Sequence, residues 1–534
     1  MNATNTDERT WASALPLVVR VGFSGSRNLY PAGTTPDEAG QFDKQLVEKL
    51  VEILESLPKK LNWAPAHFVC GVSSLATGAD TLFAQALRSR GMGHRVFLPQ
   101  HRDEFLNAVG SSGPDFSAEQ QDQALRILES PGTIQECVVS DSPNRHERFA
   151  ETNLEILRVA DLLICLQRQE SANKPGGAQS TFETAKNREM PTLELRVRVT
   201  GNELQVVETW HFAEKFEKPY LLEEMVGLPV GANVACVPLP TTPEYCAVLK
   251  NFGSGQAKLL RNMFNVAAFA IILTHVVATL MGTFGFVTHT SETVHNALLW
   301  LEFLLLAAGL GFHEYLHLSH TGKNWALSRI VAEVCRSAIM TQQFPVYLAY
   351  LFRLPIPDKL KSVLATINVV HMTNTAKLRT GGKSMSNPAV FLAARDEYLA
   401  TRIDRQLQYY TSGAQSADFW RNFARKSFTL FSFLAVTVAV YQLSVAHGES
   451  ALLGAIGFVL PVIAVSAMSL ASAADLDARS ETYHELAKFL SRQKLLMARA
   501  ETFHEFRPLL LEAEERLLGE TANWYSRRAY LGVA

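Results

Sequence analysis

The sequence predicts two structural classes in one chain: an α/β doubly wound parallel sheet in residues 15–200, and an α-helical membrane domain with four transmembrane helices in two hairpins. Short apolar runs alternate with amphipathic helical segments up to residue 200, as in chains that build a parallel sheet. Four long apolar stretches then follow in two pairs. They are Phe264–Phe286, Ala297–Phe312, Ser427–Ala446 and Ala451–Ala473.

The first and last of these stretches contain no Asp, Glu, Lys or Arg, and each reaches the ~20 helical residues that cross a hydrocarbon core. A backbone in that core must satisfy its own hydrogen bonds, so helices are predicted. The average composition conceals this, because 47% hydrophobic residues and a net charge of -2 are ordinary for a soluble protein. The alternative is that one or two stretches are buried core helices, and Ala297–Phe312 is the weakest span because it carries Glu302.

Basic residues near the spans predict the orientation of the hairpins. The links 287–296 and 447–450 contain no Lys or Arg. Basic residues flank the other ends of the spans: Lys250, Lys258, Arg261, Arg421, Arg425, Lys426 and Arg479. By the positive-inside rule, both hairpin tips point outward and both termini are cytoplasmic. The six cysteines form no CxxC pair and the N-terminus shows no signal-peptide pattern. Both observations agree with a cytoplasmic location for residues 15–200. The near-neutral charge predicts no nucleic acid partner.

Residues 15–200 are predicted to form strands and helices in alternation. Apolar runs predict strands at Leu15–Val21, His67–Val72, His94–Pro99, Val159–Leu166 and Thr192–Val199. Helical periodicity predicts helices at Phe42–Leu57, at Leu82–Arg90 and from about Phe182. In a parallel sheet of this kind, ligands bind at the carboxyl ends of the strands.

Three strand ends carry residues suited to phosphate or ribose. The first reads GFSGSRN, where glycines let the backbone approach a ligand, serines offer hydroxyls and an arginine offers a planar cationic fork. Its candidate ligand-binding residues are Gly22, Ser24, Gly25, Ser26, Arg27 and Asn28. The second reads SSLATGADT, with candidates Gly78, Asp80 and Thr81. Asp80 either caps the following helix or holds a ribose hydroxyl.

The third strand end reads KPGGAQSTFE and opens a helix, where free backbone N–H groups and the helix dipole favour anions. Its candidates are Gly176, Gly177, Thr181 and Glu183. Thr181 is alternatively a plain helix cap. Glycine turns are common in α/β proteins, but three of them after three strands predict a ligand site.

Five segments carry a resemblance to a known group: GFSGSRN, GVSSLATGADTLFAQAL, LPQHRDEF, NRHERFAETNLEILRVADLLICL and PGGAQSTFETAKNREMPTLEL, in this order. Together they make residues 15–200 similar to the SLOG superfamily, which is Rossmann-like and includes the LOG phosphoribohydrolases and the DprA-like and YspA-like proteins. The resemblance implies either cleavage of nucleoside monophosphates or sensing of a nucleotide second messenger, of the cyclic nucleotide or cyclic ADP-ribose type. It implies no further cofactor.

The resemblance separates sensing from hydrolysis at one motif. LOG enzymes carry PGGxGTxxE where this chain reads PGGAQSTFE. Gln179 replaces the third glycine, Ser180 replaces the threonine, and Glu183 still matches the glutamate. The departure favours a sensor. The alternative is a membrane-tethered nucleotide hydrolase in which Glu183 is catalytic.

The second half resembles the SLATT family over residues 240–530, most clearly after residue 395. A YLxxRIxxQxxYY helix precedes the third span, and a helix with the aromatic-x-E-L motif YHEL follows the fourth. The resemblance implies a pore-forming membrane effector of bacterial immunity, in the cell inner membrane, that responds to a nucleotide signal. We expect it to work as a homo-oligomer.

Two polar features of the first hairpin leave alternatives open. Glu302 lines a channel, pairs with His275 across the hairpin, or lies near the interface. His313, Glu314 and His317 form HExxH, which on a helix can bind zinc in a membrane protease. That reading requires a third ligand, for which Glu333 and His320 are the candidates. We assign no metal there and keep the protease as the lesser alternative.

The predicted organisation follows from these boundaries. It is a polar tail at 1–14, a nucleotide-binding domain at 15–200, a connector at 201–260, a first hairpin at 261–318, a cytoplasmic helical region at 319–425, a second hairpin at 426–474 and C-terminal cytoplasmic helices at 475–534.

Overall fold

The computed structural model describes residues 17–61, 66–110, 113–168, 176–200, 203–217, 235–236, 241–287, 291–353, 360–380, 385–444 and 451–530. The predicted polar tail, the link 447–450 and much of the predicted connector lie outside these residues. The chain divides into two compact units. Unit 1 contains Met1–Lys250 and Val334–Phe391, and unit 2 contains Asn251–Glu333 and Leu392–Ala534.

Unit 1 is built on one mixed, mostly parallel sheet. The strands are β1 Leu17–Gly25, β2 Ala66–Ser73, β3 Gly93–Leu98, β4 Val109–Gly110, β5 Gly113–Pro114, β6 Thr133–Val138, β7 Leu162–Arg168, β8 Thr192–Thr200, β9 Glu203–His211 and β10 Ala235–Cys236. The sheet order is β6-β3-β2-β1-β7-β8-β9, with β10 beside β2, while β4 and β5 form a separate antiparallel pair. The chain builds outward from β1 on one side and then, from β7, on the other. This confirms the predicted doubly wound class.

Helices cover both faces of the sheet. Within residues 36–187 they are α1 Pro36–Lys60, α2 Ala79–Ser89, α3 Arg102–Leu106, α4 Ala118–Leu128, α5 Arg145–Val159 and α6 Ala178–Asn187. On one face, Val21 and Phe23 of β1 pack with apolar residues of α1 and α2. On the other, Leu163 and Cys165 of β7 pack with Phe182 of α6. Alternate strand residues are therefore buried on opposite faces, as a sheet between two helix layers requires.

Three elements of unit 1 depart from the sequence-based assignment. Strand β6 had no predicted counterpart, and β9, which pairs antiparallel with β8, lies in the predicted connector. Val159 is the last residue of α5 and not the first of a strand, so β7 begins only at Leu162. A later helix also returns to the sheet, because the Val18 backbone N–H donates to Thr366 Oγ1 at 2.9 Å.

The remaining helices follow unit 1's sheet in the chain. They are α7 Thr242–Val287, α8 Glu292–Leu318, α9 Thr321–Thr341, α10 Lys361–Thr380, α11 Pro388–Tyr398, α12 Asp404–Ser444, α13 Ala451–Ala473, α14 Leu476–Arg499 and α15 Phe503–Tyr530. A π-helical turn, Leu399–Ile403, joins α11 to α12. Thr366 lies on α10, which belongs to unit 1.

Four helices among the described residues are long and apolar enough to cross a membrane. The segments are Thr242–Phe284, Glu292–Leu318, Pro388–Ser444 and Leu453–Ala473, and each overlaps one of the four predicted spans. In each of these helices, at most 11% of the most apolar 18-residue stretch is buried within the chain. Large side chains such as Trp300, Phe433 and Leu443 are exposed. Such surfaces are stable against lipid and not against water, so the helices are those of a membrane protein.

Candidate functional site

The predicted nucleotide site lies where the chain changes direction across the sheet of unit 1. Strands β1 and β7 are parallel neighbours, with Gly25 opposite Leu166. The Ser26 backbone N–H donates to Leu166 O at 2.9 Å, which extends the pairing into the first turn. Such a switch point leaves a crevice at the carboxyl ends of the two strands, and this is where ligands bind in doubly wound sheets.

Asp80 joins the first two turns from inside. Its carboxylate accepts hydrogen bonds from the Gly25 N–H at 3.1 Å, the Ala76 N–H at 3.2 Å and the Ser74 hydroxyl at 2.5 Å. The helix-cap alternative is wrong, because the N-cap of α2 is Gly78. Burial raises the pKa of Asp80 to about 6, against the three donors that favour its charged form. Asp80 thus holds the turns in register beneath the crevice.

Gly78 permits the close approach of the two turns. Its φ is +84°, and a Cβ there would lie 2.2 Å from the Arg27 carbonyl oxygen. The Ala79 N–H donates to Ser26 O at 3.2 Å. Only glycine satisfies both the left-handed backbone and the missing space. Thr81, by contrast, uses its hydroxyl to bond Ala76 O at 3.0 Å, within its own turn.

The side chains of the first strand end differ in position. Arg27 and Asn28 are exposed, whereas Ser24 is 6% exposed. Gly22 lies inside β1, where a Cβ would come within 2.8 Å of the Ala160 Cβ. Gly22 therefore serves packing against α5, and Arg27 and Asn28 are the residues that face solvent beyond the strand.

Two arginines share one acid at the mouth of the crevice. Arg27 Nη1 lies 3.4 Å from Asp115 Oδ1, and Arg145 Nη2 bonds the other oxygen of Asp115. Both guanidinium groups also lie over the Phe149 ring, at 5.2 and 5.8 Å from its centroid. Two cations against one carboxylate leave a surplus positive charge, in the planar form that suits phosphate oxygens.

The third turn comes to the same region. Gly176 has a φ of +73°, and Asn153 Nδ2 of α5 donates to its carbonyl at 2.9 Å. Gly177 is the N-cap of α6 and offers no side-chain cap to the first N–H groups of α6, an arrangement that suits an anion. Thr181 is a buried residue whose hydroxyl donates to Gly177 O at 3.1 Å, so it is not the helix cap. Residues 169–175 of this loop lie outside the described residues.

Glu183 belongs to a series of hydrogen-bonded side chains that includes Gln179, one helical turn earlier on α6. Gln179 Nε2 donates to Glu183 Oε1 at 2.8 Å, and Arg196 Nη2 donates to Gln179 Oε1 at 3.3 Å. Arg196 in turn bonds Glu194 at 2.5 Å. Gln179, the residue that departs from the hydrolase motif, is thus the one that engages Glu183.

Four residues at this candidate site were not predicted from the sequence. Arg145 and Phe149 lie on α5, and Asp115 follows β5. They lie far from the glycine turns in the chain, although Arg145 and Phe149 fall within the quoted segment NRHERF. A fourth, Gln167 at the end of β7, is fully buried, and its Oε1 has no hydrogen-bond partner among the described residues.

Unit 2 contains a buried polar network beside the π-helical turn. Arg402 is 1% exposed and bonds the carboxylate of Glu514 at 2.9 and 2.8 Å, and that of Glu333 at 2.9 Å. Tyr398 donates to Glu514 Oε1 at 2.8 Å. Nearby, the hydroxyls of Tyr409 and Tyr483 lie 3.1 Å apart. Three residues of the YLxxRIxxQxxYY pattern therefore tie α11 and α12 to α9, α14 and α15.

The positions of Glu302 and His275 show whether these two side chains pair across the first hairpin. The Glu302 carboxylate packs against Gly282, whereas His275 packs against Gly309 and its Nδ1 lies 2.7 Å from Ile271 O. The suggested pairing of Glu302 with His275 is therefore wrong.

For the HExxH motif, His313 and His317 are exposed on α8, and the candidate ligand Glu333 bonds Arg402. The part of the chain that the structure describes holds no group of three His, Cys, Asp or Glu side chains placed for a metal.

Comparison with known families gives one match, in the C-terminal part of the chain. Residues 398–524 match the family model described as SMODS and SLOG-associating 2TM effector domain 1. The match contains α12, α13 and α14, so it covers the second predicted hairpin and the helices on either side. No curated protein and no solved structure matches the chain. Residues 398–524 are thus similar to a transmembrane effector domain, while the SLOG identity of residues 15–200 stays a prediction.

Proposed function

We propose that the chain is a membrane effector of a bacterial antiviral defence system, in which unit 1 senses a nucleotide-derived second messenger and the four membrane helices then breach the inner membrane. The match of residues 398–524 to a two-span effector domain carries the proposal. The name of that family associates it with SLOG, the group that residues 15–200 resemble. Four apolar helices supply the means of crossing a bilayer.

The messenger site would be the crevice between β1 and β7. Arg27 and Arg145 would hold a phosphate through charge-assisted hydrogen bonds, since Asp115 neutralises only one of them. The open N-terminus of α6 at Gly177 would take a second phosphate or ribose oxygen. Messenger binding can open the membrane part only through tighter binding to the open state, and a large switch needs ~5 kcal/mol of such difference.

Ligand binding is tested first. The full chain in detergent is screened by thermal shift against cyclic dinucleotides and cyclic ADP-ribose isomers. For a ligand that stabilises the parent, Arg27→Ala should weaken binding about 10- to 100-fold, since a hydrogen bond to a charged group contributes ~1.5–3 kcal/mol. Arg90→Ala is the control, because Arg90 pairs with Glu55 away from the crevice. Equal binding by parent and Arg27→Ala would place the site elsewhere.

Turnover of nucleoside monophosphates distinguishes the hydrolase alternative from the sensor. A sensor should release no base from nucleoside monophosphates, and Glu183→Gln should keep messenger-dependent toxicity, since an amide preserves the shape of the side chain but not proton transfer. Turnover by the parent that is lost in Glu183→Gln would replace the sensor by an enzyme.

The membrane step is tested in cells and in liposomes. The activated chain should depolarise cells, and deletion of Ala451–Ala473 should abolish this while unit 1 keeps its ligand. Glu314→Gln should be nearly silent. A toxic deletion variant argues against membrane breach by the hairpins, and an inert, fully inserted Glu314→Gln variant would favour the zinc protease.

A further inference from the structure

A cavity of about 260 Å³ lies in unit 2 at the ends of two predicted spans. Its rim includes Arg261 and Asn265 of α7, at the start of the first apolar stretch, and Ala473 and Asp475, where α13 ends. Each headgroup layer of a bilayer is ~5–8 Å thick, so residues directly beyond a span lie at its depth. The rim of the cavity therefore lies at the level of the lipid headgroups.

The cavity carries more positive than negative charge. Its charged lining residues are Arg261, Arg329, Arg479, Arg527, Asp475 and Glu520. Glu520 lies 3.4 Å from Arg329, and Asp475 lies 4.0 Å from Arg527. Each acid thus has an arginine beside it. Arg261 and Arg479 form no ion pair within 4 Å with any residue that the structure describes, and both are exposed at the rim.

Aromatic side chains hold the walls of the cavity in place. The rings of Trp325 and Trp524 meet edge to face, with centroids 4.7 Å apart. The Arg329 guanidinium lies 4.8 Å above the Trp524 ring, and that of Arg479 lies 5.2 Å from the centroid of Tyr483. A guanidinium stacked on an aromatic face keeps its N–H groups free to bond in the plane of the group. Tryptophan and tyrosine are also the residues that concentrate at membrane interfaces.

We propose that this cavity binds a phosphate group, with the anionic headgroup of a membrane phospholipid as its source. About 260 Å³ is the room of roughly nine waters, enough for a phosphodiester with a small polar substituent. Arg261 and Arg479 supply the two charges that the protein's own acids leave unbalanced. Basic pockets between membrane helices recognise phospholipid headgroups by this chemistry. The proposal does not depend on what unit 1 binds.

The test measures lipid binding by the full chain in detergent. Native mass spectrometry counts bound phosphatidylglycerol and phosphatidylcholine, and a thermal shift reports stabilisation by each lipid and by inorganic phosphate. We expect the parent to retain phosphatidylglycerol in preference to phosphatidylcholine. The double variant Arg261→Gln with Arg479→Gln should bind phosphatidylglycerol at least about tenfold more weakly, since each basic residue near a membrane surface contributes ~1 kcal/mol.

The matched control removes the same charge outside the cavity. Lys258 lies just before the first span and Lys426 just before the third, and both are exposed but do not line the cavity. The double variant Lys258→Gln with Lys426→Gln should bind phosphatidylglycerol like the parent. Equal loss in both double variants would overturn the proposal in favour of general surface charge, and so would undiminished binding in the arginine variant.

Competition with inorganic phosphate tests whether the bound phosphate group comes from a phospholipid. If phosphate stabilises the parent and not the arginine variant, while phosphatidylglycerol does not compete with it, the phosphate site stands and the lipid source is wrong. Competition between the two confirms the lipid. Midpoints measured without either ligand should agree among the three proteins, and a fall confined to the arginine variant would overturn the site by giving these arginines a structural role.

Discussion

Units 1 and 2 each bury a carboxylate, but they stabilise it differently. Asp80 of unit 1 accepts only neutral donors, two backbone N–H groups and the Ser74 hydroxyl. Glu514 of unit 2 accepts two hydrogen bonds from the Arg402 guanidinium. The first arrangement leaves a carboxyl group whose pKa is raised to about 6, beneath the predicted ligand crevice. The second fixes the charges and ties helices together, so it is suited to structure.

The largest effect should come from removing the guanidinium in unit 2. Arg402→Met leaves Glu514, which is 0% exposed, as an unpaired buried charge. Breaking such a pair costs about 3–5 kcal/mol, which the thermal midpoint of the full chain in detergent will report. Arg405→Met, at an exposed position one turn further on, should cost less than ~0.5 kcal/mol.

A second variant separates the effect of losing the charge pair from the effect of losing a large buried side chain. Arg402→Met combined with Glu514→Leu removes both charges and should recover part of the midpoint. If the double variant is no more stable than Arg402→Met, the network acts through packing and the contrast with Asp80 fails.

The next effect is a pH dependence confined to unit 1. The pKa of Asp80 rises from 3.8 to about 6 on folding, so the folded state binds the proton more tightly. Its contribution to stability is therefore complete below pH ~4 and is lost as the pH rises through ~6. Two pKa units correspond to about 3 kcal/mol at most. Asp80→Asn should flatten the midpoint across this range, whereas Asp122→Asn, an exposed acid on α4, should retain the parent's profile. A parent midpoint that rises from pH 4 to 6 in a manner abolished by Asp80→Asn would reverse the assigned sign.

The last comparison isolates the space beneath Arg27. Gly78→Ala and Gly91→Ala both place a side chain at positive φ, +84° and +62°. Only at position 78 does the new Cβ meet another atom, the Arg27 carbonyl oxygen at 2.2 Å. Each should lose ~1–2 kcal/mol for the left-handed backbone. Gly78→Ala should lose about 1–3 kcal/mol more and weaken messenger binding. Equal midpoints for the two variants would show that the turns can separate without cost.

The sequence by itself determined the features that depend on consecutive residues. The four spans are set by the length and apolarity of single stretches, and each of the four apolar helices overlaps one of them. The strands β1, β2, β3, β7 and β8 were each predicted from one apolar run. The glycine turns were also visible, since a positive φ as at Gly78 and Gly176 selects glycine locally.

Only the tertiary structure decided what meets at each site. Arg27, Asp115 and Arg145 come from three separate segments of unit 1. Arg402, Glu333 and Glu514 likewise belong to distant helices of unit 2. The edge strand β9 escaped prediction because half of its side chains are only partly buried and it shows no continuous apolar run. Local patterns record which face of a helix or strand is buried, whereas the pairing of charges depends on distances that arise only once the elements have packed.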